Sequence, residues 1–591
     1  MDRQTTLGFV LIFVLLMAWM YMNTPKDSAK QQKAVQTRID TTKTDSVKAI
    51  LAAPPALKAN PGKFFSGRTK GEEKVFRVET DLYTAEISTK GGMIRKWDLT
   101  KYKTWNGFPV QMVNYEKGGD LNLIFTTSDG KLVNTKELFF DLRAAGRSID
   151  LRGNNFEFEI IVELPIAGGG SLQKSYKFLN GRYDVQVDIR FASLSNVISN
   201  YQYQVLWENG LRYAEHNSVD ESGFAAAYAF GGKELTEVDA TQTDQKATKD
   251  ISGKADWLAV RTKYFGVALM PISQITDGAG IVGSRVGAPD QGFIESYELA
   301  LKMPFKGSND ERASFRIFLG PLDHGLLKSY DNGIEQIMSL GAAWVIRPIA
   351  EYVFLPLFLF LHTFIPNWGI VIIVFSVIIK LALHPLSRSQ MKSMKKMQAL
   401  QPLMDEVREK YKDDPAKMNQ AVMNLYKEYG VNPAGGCLPL VLQLPILYAL
   451  FSVFRSAIDL RQANFVGWIH DLSIPDVAFS LPFTLPIFAV KDISGIALIM
   501  GVTMFVQQKM TVKDPRQKAM VWMMPIMMTL MFNGFPSGLN LYYTMFNIFS
   551  IAQQFFIDKQ ETAEPLRKVE PKKKNRGGFF GKLGDIPRLK K

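Results

Sequence analysis

Groups able to make or break bonds are sparse in this sequence. Its one cysteine, Cys437, excludes an intrachain disulfide and sits in an apolar segment. His216 and His324 fall in a polar region with no cysteine and no glycine-rich loop between a strand and a helix, which is the setting of structural histidines. His384 and Ser387 are close in sequence but lie at the edge of an apolar run, with no second catalytic group on a facing segment, as a hydrolase would need. There is no G-x-x-x-x-G-K-[ST], hence no nucleotide site of that kind. The group that stands out is Lys380, inside an apolar run that starts near Trp368, roughly 18 Å along a helix rising about 1.5 Å per residue.

An ammonium at that depth costs about 2.5–3.5 kcal/mol on insertion scales, and such groups are functional by default. The rival reading is snorkelling, since Leu386 and the edge of the run are only six residues away. Ser376 lies one turn from Lys380 on the same face. Further polar groups stand in the other apolar runs: Gln443, Gln507, Gln508, Asn533, Asn540, Asn547 and Gln553. They could glue membrane helices together or, around one cation, line a wet amphiphilic cavity. No intramembrane carboxylate is available to Lys380, which leaves its charge open to an incoming negative group. The chemistry implied is attraction and solvation, with no catalytic residue, cofactor or metal.

The elements that position these residues divide in two. The mean hydropathy of −0.03 hides a polar, strand-rich stretch from Lys63 to Asp331 and an apolar one from Trp344 to Ile557. Leu7–Met22 is uncharged and apolar, with no A-x-A site behind it, and reads as an uncleaved anchor (1–23). Residues 24–63 have a tether's composition. Tyr183–Phe191 and Phe156–Ile160 alternate with period two, and Val75–Ile87, Leu172–Leu179 and Tyr201–Trp207 are further strands. Residues 64–335 therefore read as a β-sandwich with wet faces and no catalysis.

Five apolar runs follow: 367–386, 434–457, 493–510, 519–536 and 538–557. With the anchor they make six spans. If the N-terminus lies in the cytoplasm, residues 387–433 lie inside with nine Lys/Arg, 511–518 with three, and the tail 558–591 with eleven. The longer outside stretch 455–492 has only three, which fits the positive-inside rule. Counting 343–366 as a span would invert every loop. Its Arg347, Glu351 and His362 share one face, so it reads as an amphipathic helix lying in the interface. Phe479–Val490, short and carrying Pro482 and Pro486, reads as a surface-lying loop.

Residues 387–432 form an antiparallel helical hairpin. Leu400, Leu403, Val407 and Tyr411 step along one helix, and Met418, Val422, Leu425 and Tyr429 along the next, with Asp414-Pro415 as N-cap and N1 between them. Met391, Met394, Met397 and Met404 either fill the hairpin seam or offer an adaptable surface to varied apolar clients. The fold class is then a membrane α-helical bundle, a five-helix core plus the N-terminal anchor. It carries a large extracytoplasmic β-sandwich and a cytoplasmic helical hairpin.

The same residues carry a resemblance. Trp368-Gly369, His384-Pro-Leu-Ser387, Met397-Gln-Ala-Leu-Gln-Pro402, Tyr426 through Pro439, Gln443-Leu-Pro445, Trp468-Ile-His-Asp-Leu472, Gly501-Val-Thr-Met504 and Phe535-Pro-Ser-Gly-Leu539 are similar to motifs of the YidC/Oxa/Alb insertase family. Trp257-Leu-Ala-Val260, Tyr264-Phe265 and Leu319-Gly-Pro321 match its large outer domain more loosely. The resemblance implies a five-helix core with a groove open to cytoplasm and lipid, and a periplasmic sandwich of the Gram-negative type. It further implies that Lys380 is the groove cation, that Ser376 and Gln443 line the groove, and that Tyr542 and Tyr543 contact clients; Gln507 and Asn533 are counted with the groove as polar groups of the neighbouring apolar runs. The family often has Arg at the position of Lys380; lysine keeps the charge but loses the planar fork. The implied partners are nascent membrane proteins, the Sec translocon (SecYEG and SecDF), the bilayer of the inner membrane and, through the basic tail, the ribosome; both termini would be cytoplasmic. A secondary transporter or channel-like protein is the alternative, though neither inverted repeats nor paired midplane charges are seen.

Overall fold

The computed structural model describes residues 61–560 and 568, apart from 145, 274, 291, 343, 432–437, 486–489 and 513–517. The N-terminal anchor, most of the tether, Cys437 and the basic tail beyond that single residue lie outside the described residues. Two compact units divide in sequence between Ser339 and Leu340.

The first unit is built from sheets. A nine-stranded sheet has at its centre Phe265–Pro271, Asp310–Pro321, Asp184–Ala192, Ser171–Leu179 and Glu157–Pro165, in that spatial order and all antiparallel. Six- and five-stranded sheets accompany it. The alternation expected at 183–191 is present: Val185, Val187, Ile189 and Phe191 are fully buried, while Gln186, Asp188 and Arg190 between them are partly exposed. Trp97, Trp207 and Trp257 are the largest side chains of this core. The single strand read over Val75–Ile87 is two, Val75–Glu79 and Tyr83–Ser88, because the Thr80 hydroxyl accepts from the Leu82 and Tyr83 N–H groups and turns the chain. Three short helices, α1 (Gly62–Phe65), α2 (Ser218–Ser222) and α3 (His324–Lys328), fill connections. His216 packs edge-on against Trp105.

The sequence pattern did not reveal the charges inside this unit. Lys174 is fully buried and donates to the carbonyls of Gly91 and Leu121. Burial alone brings its ammonium down to about 7. Burial likewise raises the carboxyls of Asp120, Glu221 and Glu295 to about 7 each. Backbone N–H donors from Glu208 and Asn209 oppose this at Asp120, and those of Ala214, Glu215 and Lys263 do so at Glu221.

The second unit is helical. It opens with α4 (Ile346–Ile349), a π-turn over Ala350–Phe354 and α5 (Leu355–His362). Then come α6 (Trp368–Ala382), α7 (His384–Ala399), α8 (Gln401–Lys410), α9 (Pro415–Glu428), α10 (Leu438–Ser456), α11 (Gly495–Thr511), α12 (Lys518–Phe532) and α13 (Ser537–Gln560). Helices thus stand at all five apolar runs. Among the described residues no single helix is long and apolar enough to cross a membrane by itself; α6 and α7, bent by 62° at their junction, pass that test together.

Three expectations need correction. The polar residues of 343–366 do not form a wet face: Arg347 pairs with Glu351 at 3.0 Å, Glu351 is buried, and His362 stacks on Trp368. The large side chains this segment exposes are apolar, Trp344, Tyr352, Val353, Phe360 and Phe364. Phe479–Leu485, read as part of a loop, is a strand that pairs antiparallel with Val490–Ile493. The first arm of the helical hairpin breaks at Leu400, where Pro402 in the first turn of α8 has no N–H to continue the α7 ladder. The turn is as expected, with Asp414 Oδ1 accepting from the Lys417 N–H and Pro415 opening α9. Leu400, Met404 and Val431 form a small core, flanked by Met397, Leu403, Val422, Leu425, Tyr426 and Tyr429. Met397 and Met404 therefore fill the seam, and Met391 and Met394 are half-buried on α7.

Candidate functional site

α6 begins at a capped end, with Asn367 Oδ1 accepting from the Ile370 N–H at 3.1 Å. Its apolar side packs inward through Val371, Ile372, Phe375 and Ile379. On the same inward side stand Ser376, whose hydroxyl donates to the Ile373 carbonyl, and one turn later Lys380. Lys380 does not reach outward: the residue is 8% exposed and Nζ donates to Ser550 Oγ of α13 at 2.7 Å. The ammonium also lies 4.3 Å from the centre of the Phe546 ring. Among the described residues no carboxylate pairs with it. The snorkelling geometry is therefore not the one adopted.

α13 explains why the ammonium can be held there. Asn540, Thr544, Asn547, Ser550 and Gln554 recur at steps of three and four, and all five are buried. Over fourteen residues that is a polar stripe of about 21 Å. Its hydrogen bonds are partly made: Asn540 Nδ2 donates to the Phe532 carbonyl at 3.1 Å, and Asn547 Nδ2 to Thr503 Oγ1 of α11 at 3.3 Å. Gln553, beside the stripe, contacts His384 at 3.1 Å. Asn540 Oδ1 and Gln553 Oε1 are buried without a protein partner. A buried amide oxygen left unmade costs about 1–3 kcal/mol, so the stripe has unused capacity to accept hydrogen bonds. Ser550, Thr544 and Gln554 were missed in the sequence, although their three-and-four spacing with Asn540 and Asn547 was readable.

The other expected groove residues are not gathered at the ammonium. Gln443 is half-buried on α10 and Gln507 half-buried on α11; neither hydrogen-bonds to Lys380. Asn533 belongs to the opposite end of the bundle, accepting from the Ser494 N–H and donating to the Asp492 carbonyl where α11 starts. Tyr542 is only 2% exposed, packed among Phe375, Phe454 and Phe546, so its ring is part of the core here. Tyr543 lies against Phe532 and is partly exposed.

That opposite end is tightly closed. Asp476, 7% exposed, accepts from the N–H groups of Gly495 and Ile496, the Ser494 hydroxyl and the Trp468 indole, so one carboxylate caps α11 and fastens the preceding loop. Ser537 Oγ donates to the Asp471 carbonyl and the Gly538 N–H to that of Leu472, which ties the start of α13 to the same loop. Gly369 is required by space, since a Cβ there would lie 1.9 Å from the Phe465 ring. The bundle thus has a hydrogen-bonded cap at one end and, toward the other, a polar seam with a cation in it.

Comparison with known proteins follows the same division. The family model described as 60Kd inner membrane protein matches residues 360–564, and that described as YidC periplasmic domain matches residues 75–354. A protein of Chloroherpeton thalassium named membrane protein insertase YidC is 39% identical over 96% of this chain and 97% of its own length. One of the same name from Chlorobaculum tepidum is 39% identical over 95% of this chain and 96% of its own. A solved structure described as an active YidC insertase, with its first transmembrane domain resolved, is 20% identical and covers 87% of this chain and 99% of its own, with a TM-score of 0.35.

Proposed function

This chain belongs to the YidC family of membrane protein insertases, and from that premise we propose that it inserts other proteins into a bilayer at the polar seam around Lys380. The observation that carries the site is a buried ammonium held by a hydroxyl and a ring, with no carboxylate partner among the described residues. A hydrogen bond to a charged group contributes about 1.5–3 kcal/mol. A client carboxylate about 4 Å away would attract the ammonium by about 4 kcal/mol at an effective dielectric constant near 20. A charged acceptor is thus a stronger partner for Lys380 than the neutral Ser550 hydroxyl, to the extent that the attraction exceeds the desolvation of the flank.

In this reading the stripe on α13 substitutes for water around the polar flank, lowering the cost of bringing it into the membrane. The apolar part of the client partitions into lipid, at about 25 cal/mol per Å² removed from water, so nucleotide energy is not needed. The cap built on Asp476 keeps the outer end shut. The same reading gives the chain six spans with both termini in the cytoplasm, supported by the basic loops 387–433 and 511–518. It also puts the helical hairpin on the client's route, offering Met391 and Met394, which of the four methionines on its first arm are the two not used in its core. The Sec translocon is a proposed co-worker, and the eleven basic residues of the tail suit the phosphates of a ribosome.

The test is a photo-crosslinker at Ser550 or Gln443 during synthesis of a single-span client. Adducts whose yield depends on nascent length support the seam. No adduct from either position at any length would overturn it.

A further inference from the structure

We propose that the hairpin formed by Phe479–Leu485 and Val490–Ile493 is a rigid finger whose exposed aromatic side chains lie in the outer boundary of the lipid bilayer. Its first strand carries Phe479, Leu481, Phe483 and Leu485, and its pairing with the second strand shifts register between Ser480 and Leu485, so the strand is bulged rather than regularly pleated. Neither aromatic ring is fully covered by protein: Phe479 is 50% and Phe483 58% exposed. An exposed aromatic residue carries meaning where it belongs to a larger apolar patch.

The finger is fixed at its base. Val490 and Ile493 are buried, the Ala478 N–H donates to the Ile493 carbonyl, and Asn533 of the α12 end donates to the Asp492 carbonyl at 2.7 Å. Shortly before the finger, Asp476 caps α11; directly after it, Ser494 opens that helix. The hairpin is thus a stiff extension of α11, and its position is set by the bundle.

Lipid is the occupant because the apolar surface is continuous. Along α11 the exposed residues are Leu498, Ile499, Val502 and Val506, a stripe that the bilayer covers in a membrane-embedded family. At the start of α11 this stripe meets the exposed Val477 and Ile474 of the preceding loop, and then the hairpin. Exposed Lys491 on the second strand is placed to meet a lipid phosphate while the aromatic residues sit below it. This inference needs only a bilayer and does not depend on which clients the seam accepts.

The test uses the full chain with Cys437→Ser, carrying one nitroxide at a time at F479C or F483C, in vesicles of phosphatidylethanolamine and phosphatidylglycerol. Labels at 479 and 483 should collide several-fold more often with oxygen than with a water-soluble nickel chelate. Two outcomes overturn the proposal. If the chelate dominates at 479 and 483, those positions are in water; if both reagents are excluded there, a protein surface covers them. Each variant is compared only when its melting temperature in detergent matches that of Cys437→Ser.

Discussion

If Ser550 holds the Lys380 ammonium, the two residues must be energetically coupled. Ser550→Ala removes the acceptor 2.7 Å from Nζ and leaves the Phe546 ring as the remaining neighbour. A hydrogen bond to a charged group is worth about 1.5–3 kcal/mol, and here the ammonium has few alternatives. For a unit of roughly 250 residues, about 2–4 °C per kcal/mol makes this a drop of about 3–12 °C in melting temperature. Lys380→Met removes the charge and keeps most of the apolar stem, so it should be neutral or mildly stabilising. In the Lys380→Met background Ser550→Ala should then cost almost nothing, and the double-mutant cycle should return most of the 1.5–3 kcal/mol, on the order of the whole bond, as coupling. The assay is thermal unfolding of the four purified proteins in one detergent. If Ser550→Ala costs as much in the Lys380→Met background as in the native chain, the hydroxyl matters only through its own bond to the Phe546 carbonyl. The ammonium would then not be held as described.

Asp476→Ala should destabilise the helical unit by at least about 2 kcal/mol, because it strands the first N–H groups of α11 and the Trp468 indole together; unchanged thermal unfolding would count against the cap. Gly369→Ala should cost about 1–3 kcal/mol through collision with the Phe465 ring, and Phe465→Leu in the same chain should recover much of it. The outer unit should be least stable near pH 7. Asp120, Glu221 and Glu295 have folded values raised to about 7, so the folded state holds protons that the unfolded chain has released, and stability falls as pH rises toward 7. Lys174 has its folded value lowered to about 7, so above that pH the unfolded chain binds the extra proton and stability rises again. A melting-temperature profile from about pH 5 to about pH 9 checks the shape, and Lys174→Met should flatten only the alkaline side.

What was readable in the sequence was whatever depends on local pattern. The strand at 183–191, the Asp414-Pro415 cap and the five apolar helices all show in residue type and spacing over a few residues. Lys380 was found because a charge in an apolar run is conspicuous. Its partner was not, because a single serine 170 residues away has no local signal. The stripe on α13 was partly visible, since amides attract notice while Thr544 and Ser550 pass as ordinary helix residues. Asn533 was assigned to the groove by its apolar surroundings, when its position next to Phe535-Pro-Ser-Gly538 already put it at a helix end. Tyr542 looked available to clients only while its neighbours were unknown. The buried charges of the first unit were out of reach for the same reason: Lys174 sits in a strand whose alternation reads normally, and only the fold brings two carbonyls to it.

The central claim is that the charge at Lys380 selects the polar flank of an incoming segment. It is tested most directly by measuring insertion of two single-span clients, identical except for an acidic or a basic flank, by the native chain, Lys380→Arg and Lys380→Glu reconstituted in vesicles. Lys380→Arg should retain insertion of the acidic client. Lys380→Glu should lose at least about tenfold on that client, the equivalent of about 1.4 kcal/mol, and improve relative to native on the basic one. Equal insertion of both clients by all three proteins would contradict it.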